Sequence, residues 1–129
     1  MTTEILRVLC VEDDPDIRLL LEMVLTPSQG FELCLAEDAE QALRDVVSFN
    51  PDLLLLDYML PGMTGLEFFR QLRSQPHWAA LPGILLTAKV SNSTPAEWLQ
   101  SGLLGVIAKP FDPLSLAGQL RSLYQGRET

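Results

Sequence analysis

Short unbroken apolar runs alternate along the chain with stretches in which apolar residues recur every three or four positions. The first run, Ile5 to Val11, is interrupted only by Arg7 and predicts a buried strand. It stops at Glu12-Asp13-Asp14-Pro15, where Asp14 suits an N-cap and Pro15 the first helical position. Ile17, Leu20, Leu21 and Val24 then keep one helical face, and the helix ends near Pro27 to Gly30. A second strand over Phe31 to Ala36 leads to a cap at Asp38 and a helix with Ala39, Ala42, Leu43, Val46 and Val47 on its apolar stripe. Asn50-Pro51 breaks that helix.

Asp52 to Asp57 forms the third predicted strand, apolar on both faces as a central strand of a parallel sheet must be. Tyr58 to Gly65 is a loop by its Pro and Gly content, and a third helix presents Leu66, Phe69 and Leu72. Beyond it the pattern predicts a strand over Leu81 to Thr87, a short helix from Thr94 to Ser101, and a strand over Val106 to Ala108. A last helix from Pro113 to Tyr124 buries Leu116, Ala117, Leu120 and Leu123. Five strands alternating with five helices make an α/β protein with a doubly wound parallel sheet and helices on both faces.

A length of 129 residues suits one domain, 1–129, with a core from about residue 4 to 125, and 47% apolar composition is enough to fill it. Nine Lys and Arg face 17 Asp and Glu, a formal net charge of −8, which disfavours direct contact with nucleic acid or anionic lipid. No apolar run approaches the roughly 18 residues of a membrane span, and Met1-Thr2-Thr3-Glu4 lacks a basic leader, so a cytoplasmic location is expected. Cys10 and Cys34 lie far apart inside apolar runs and read as reduced core thiols. His77, the only histidine, stands in a turn-like stretch.

In doubly wound sheets ligands bind beyond the carboxyl ends of the strands. Those ends carry Glu12-Asp13-Asp14, Glu37-Asp38, Asp57, Thr87 and Lys109 in turn. Carboxylates brought together after the first and third strands repel one another unless a cation intervenes, and magnesium suits such an oxygen-rich site. A hydroxyl at Thr87 and an ammonium at Lys109 add what a phosphoryl group needs, with Asp57 as acceptor. Each of these residues alone has an ordinary structural role; their joint placement at strand ends favours the functional one. Asp14 is assigned to capping, and Glu37 and Asp38 to solvated helix-start charge.

The chain resembles the receiver domains of bacterial two-component response regulators over essentially its whole length. The resemblance rests on Val8-Leu9-Cys10-Val11-Glu12-Asp13-Asp14-Pro15-Asp16-Ile17-Arg18, the stretch Asp52 to Gly65, Leu85-Leu86-Thr87-Ala88, and Lys109-Pro110-Phe111. Asp13, Asp57, Thr87 and Lys109 follow at intervals of 44, 30 and 22 residues. The resemblance implies a flavodoxin-like strand order 2-1-3-4-5 and a phosphorelay switch. Asp57 would take a phosphoryl group from a histidine kinase or histidine phosphotransfer protein. Asp13 would bind Mg2+, or Mn2+ in its place, directly, Glu12 through a water, and Met59 through its backbone carbonyl. Thr87 and Lys109 would contact the phosphoryl oxygens, Ala88 would leave room for them, and Pro110 would follow a cis bond that aims Lys109 inward.

Position 106, an aromatic in many family members, is Val106 here, so the rotating-ring half of the switch is missing from its usual place. Leu103, Leu104 and Val106 either leave part of the output face apolar or are simply buried under the fourth and fifth helices. Two other functions compete. An aspartyl-phosphate phosphohydrolase typically carries a second acid two residues after the nucleophile, where this chain has Met59. An unphosphorylated interaction module on this fold would normally lack Asp57, Thr87 or Lys109, and all three are present. The expectation is therefore a switch that catalyses only its own phosphorylation and dephosphorylation, with an output partner the residues do not specify.

Four of the acidic charges, Glu12, Asp13, Asp14 and Asp57, fall at one end of the predicted sheet. Removing magnesium with a chelator should leave the urea unfolding curve close to that of the magnesium-loaded protein, while phosphorylation by a small phosphodonor, followed by intact mass, should cease.

Overall fold

A computed structural model of the chain describes residues 5–88, 98 and 100–126. Strands β1 (Leu6–Val11), β2 (Phe31–Ala36), β3 (Leu53–Asp57), β6 (Gly83–Thr87) and β7 (Leu103–Ala108) form one parallel sheet in the order β2-β1-β3-β6-β7. This is the expected 2-1-3-4-5 order of the five principal strands. β4 (Met59–Leu60) and β5 (Met63–Thr64) make a separate antiparallel ribbon within the segment read as a loop, turned by Pro61 and by Gly62 at φ +81°. Four helices are described, α1 (Pro15–Val24), α2 (Ala39–Phe49), α3 (Gly65–Arg73) and α4 (Pro113–Gly126). The helix expected over Thr94 to Ser101 lies largely outside the described residues; Trp98 and Gln100 are helical.

Alternation of side chains across the strands divides the core in two. Leu54 and Leu56 of β3 face α2 and α3 with Leu9, Val11, Val46, Phe68, Phe69 and Leu85. Leu53 and Leu55 face α1 and α4 with Val8, Cys10, Leu21, Ile107, Leu116 and Leu120. Every residue of β3 is buried, as its run of leucines predicts. Helix starts follow the expected chemistry: Asp14 accepts from the Asp16 N–H and Asp38 from the Gln41 N–H. Thr64 and Glu67 close a reciprocal capping box at α3.

Several expectations need correction. Val47 is 72% exposed, because α2 buries only a narrow stripe centred on Ala42 and Val46. α1 ends at Val24, and Pro27–Gln29 forms its own 3-10 turn. β7 begins at Leu103 rather than Val106, with a register shift in which Leu104 has no partner on β6. Leu103 is buried; Leu104 and Val106 are half-buried against opposite halves of the core, so the expected apolar stretch narrows to two residues.

At the end of the sheet where strands begin, three arginines satisfy backbone carbonyls. Arg7 donates to the carbonyls of Phe49 and Asn50 at the end of α2, lies over the Phe49 ring and pairs with Glu32. Arg73 donates to Ala79 O and, at 3.2 Å, to Ser101 O, and Arg121 donates to Gly30 O at 2.8 Å. A Cβ at Gly65 would overlap the carbonyl oxygen of Asp57 and lie 3.3 Å from Leu56 Cβ, whereas one at Gly118 on α4 would meet nothing within 4 Å. In urea denaturation Gly65→Ala should lose roughly 1–3 kcal/mol by overpacking. Gly118→Ala should gain about 0.5–1 kcal/mol from helix propensity.

Candidate functional site

Period-two alternation explains why three charged groups converge. Val8 and Cys10, Leu53 and Leu55, and Ile107 all point to the α1/α4 side of the sheet. The next residues in the same phase are Glu12, Asp57 and Lys109. β1 and β3 are neighbours, with Val11 opposite Leu56, so Glu12 and Asp57 emerge side by side. β3 pairs Asp57 with Leu86, which puts Thr87 one residue further on, and Thr87 in turn pairs with Ala108, next to Lys109. The Lys109 N–H donates to Thr87 O at 2.9 Å.

Glu12 is fully buried, Asp57 is 6% exposed and Thr87 2%. Lys109 Nζ stands 2.7 Å from Glu12 Oε1 and 3.2 Å from Asp57 Oδ1. Burial, joined by the Asp57 carboxylate, pushes Glu12 up from the usual carboxylate range to about 7 against the opposing pull of Lys109. For Lys109 burial acts downward and is outweighed by Glu12 and Asp57, so its net shift is upward and the ammonium is kept. Burial also raises the Cys10 thiol, which stays protonated beneath the site.

Oxygens of Glu12, Asp13 and Asp57 lie within 4.8 Å of one another, and among the described residues buried Glu12 Oε1 accepts no hydrogen bond of regular geometry despite the nearby ammonium. Hard oxygen donors with unsatisfied capacity are compatible with a divalent cation. Asp13 is the exposed member of the three. Asp14 stands apart as the α1 cap. Met59 sits on the rim with its side chain 66% exposed and its N–H donating to Asp57 Oδ1 at 3.4 Å. Ala88 is exposed beyond Thr87, Val106 is half-buried, and Pro110 is exposed after a cis Lys109–Pro110 bond.

Two features of the site region went unassigned by residue type and spacing. Arg18 donates to Glu12 O at 2.9 Å and pairs with Glu37 at 3.3 Å, so Glu37 is more than a solvated charge. The rings of Tyr58 and Trp98 stack with centroids 4.9 Å apart. Both depend on contacts between distant segments, which no local pattern announces.

A doubly wound parallel sheet with acids and a lysine gathered beyond its carboxyl ends is the architecture of a signalling receiver. The profile of the response regulator receiver domain matches residues 8–121, and the chain belongs to that family. It is 38% identical to the DNA-binding response regulator MtrA of Mycolicibacterium smegmatis over 122 residues, 95% of this chain and 52% of that protein. It is 34% identical to the phosphate regulon transcriptional regulatory protein PhoB of Escherichia coli over 117 residues, 91% and 51% of the two chains. The chain thus spans about half the length of these curated relatives. Among solved structures, the chemotaxis response regulator CheY4 of Vibrio cholerae is similar at a TM-score of 0.82 and 30% identity, covering 94% of this chain and 99% of that one. A putative response regulator from Chloroflexus aurantiacus gives 0.81 and 31%, covering 93% and 98%.

Removing the ammonium strands a buried carboxylate. Lys109→Met should lower stability by about 1–3 kcal/mol in urea denaturation. Combined with Glu12→Gln it should cost less than the sum of the two single changes; simple additivity would mean that the pair does not interact.

Proposed function

We propose that this chain is a phosphoacceptor switch of a two-component phosphorelay. A carboxylate oxygen of Asp57 attacks the phosphorus of a phosphohistidine on a histidine kinase or phosphotransfer protein. The O–P bond forms, the P–N bond breaks, and the imidazole leaves with the electron pair and takes up a proton. The product is an acyl phosphate on Asp57. The observation that carries this reading is the Lys109 ammonium held 3.2 Å from Asp57 Oδ1, a cation in place where phosphoryl charge would develop.

The other residues divide the remaining work. Thr87, buried on the adjacent strand, offers its hydroxyl to a phosphoryl oxygen, and Ala88 leaves space beside it. Glu12, Asp13 and Asp57, with the backbone carbonyl of Met59, would hold Mg2+ or Mn2+. When bound, that ion offsets the negative charge shared by the carboxylates and the incoming phosphoryl group. Lys109 then exchanges its Glu12 contact for the phosphoryl group, which ties the loop after β7 to the state of Asp57. Val106 and Pro110 flank that loop and belong to the output side.

The domain's chemistry is confined to its own phosphorylation and dephosphorylation, in the cytoplasm, with no separate substrate. Its net charge of −8 argues that it does not touch nucleic acid itself, whatever a longer protein containing it does. Incubated with acetyl phosphate and magnesium, the protein should gain one phosphoryl group by intact mass, and Asp57→Asn should gain none. A gain that persists in Asp57→Asn would place the acceptor elsewhere.

A further inference from the structure

An aromatic stack lies one residue from the acceptor. Tyr58 follows Asp57 directly, and its ring stacks on Trp98 with an interplanar angle of 22°. The Tyr58 backbone is clamped on both sides: its N–H donates to Leu86 O at 2.8 Å, and its carbonyl accepts from the Gly65 N–H at 2.7 Å. Leu86 precedes Thr87. A displacement of Thr87 toward a group on Asp57 would move the Leu86 carbonyl, and with it the Tyr58 backbone and ring.

Across the stack, Trp98 is tied at its other end. Its carbonyl accepts from Ser101 Oγ at 2.6 Å, and the Ser101 carbonyl accepts from Arg73 of α3. One end of this helical turn is thus fixed to the body of the domain while its indole rests on the residue next to the acceptor. Val106 packs against the same half of the core as Tyr58 and Trp98 but carries no ring to rotate.

We propose that the Tyr58–Trp98 stack conveys the state of Asp57 to the helical segment carrying Trp98, in place of a rotating aromatic at position 106. This rests on the phosphoacceptor reading above. Tyr58 and Trp98 are positioning residues, outside the chemistry at Asp57. Stacked rings hold a defined geometry through offset contact, and a small shift of one ring changes the environment of the other. Coupling through them requires that the stack have two arrangements which occupancy of Asp57 biases differently.

The chain has two tryptophans, and Trp78 lies in the 3-10 turn before β6, away from the carboxyl end of the sheet. In the Trp78→Phe protein, emission excited at the red edge, where tyrosine does not absorb, therefore reports on Trp98 alone. With magnesium and acetyl phosphate, or with beryllium fluoride, its intensity or maximum should shift, and the shift should vanish in Asp57→Asn. Adding Tyr58→Leu should leave the mass gain at Asp57 in place but remove the Trp98 response; Tyr58→Phe, which keeps the ring, should restore it. A full mass gain with no Trp98 response, or a response that survives Tyr58→Leu, overturns the proposal. Absence of any mass gain overturns the acceptor reading and takes this inference with it, so the two failures are distinguished by the mass measurement.

Discussion

The Lys109 ammonium sits between two carboxylates, 2.7 Å from Glu12 and 3.2 Å from Asp57, at the end of an otherwise apolar face. The carboxylates are there because alternation along β1 and β3 continues one step past Cys10 and Leu55. A fully buried glutamate is costly unless partnered, and one ammonium must serve two acids. With Asp13 adding a third carboxylate nearby, the arrangement has room for further positive charge. Arg18 contributes from α1 by binding the Glu12 carbonyl.

The opposite end is built on another principle. There Arg7, Arg73 and Arg121 bind neutral carbonyls just ahead of β3, β6, β7 and β2, and those of Phe49 and Asn50 end α2 and its cap. Such contacts satisfy backbone acceptors without placing acids together. One end of the sheet is thus internally satisfied, while the other holds chemical potential for an incoming ligand, which is the division of labour expected of parallel α/β sheets.

Much of this was legible in the residues because the strands are short apolar runs and the charges stop them. Asp57 ends a stretch of four leucines, and Lys109 follows Ile107-Ala108, so strand ends and candidate chemistry coincide. Legibility failed where long-range pairing overrides composition. Leu103-Leu104-Gly105 becomes strand only because β6 accepts it with a shifted register, and the Met59–Thr64 ribbon hides behind Pro61-Gly62. Which acid Lys109 approaches more closely, and the pairing of Tyr58 with Trp98, depend on packing between segments tens of residues apart.

The sheet's two outer strands bear on solubility. β2 and β7 each present one unpaired side, and an unpaired strand invites another copy of the chain to add to it. On β2 the exposed Glu32 interrupts the apolar run Phe31-Glu32-Leu33-Cys34-Leu35, and Arg7 holds its carboxylate. On β7 the unpartnered Leu104 breaks the register before a visiting strand can match it. A bulge on one margin and an ion pair on the other make each edge of this leucine-rich sheet a poorer template for an added strand.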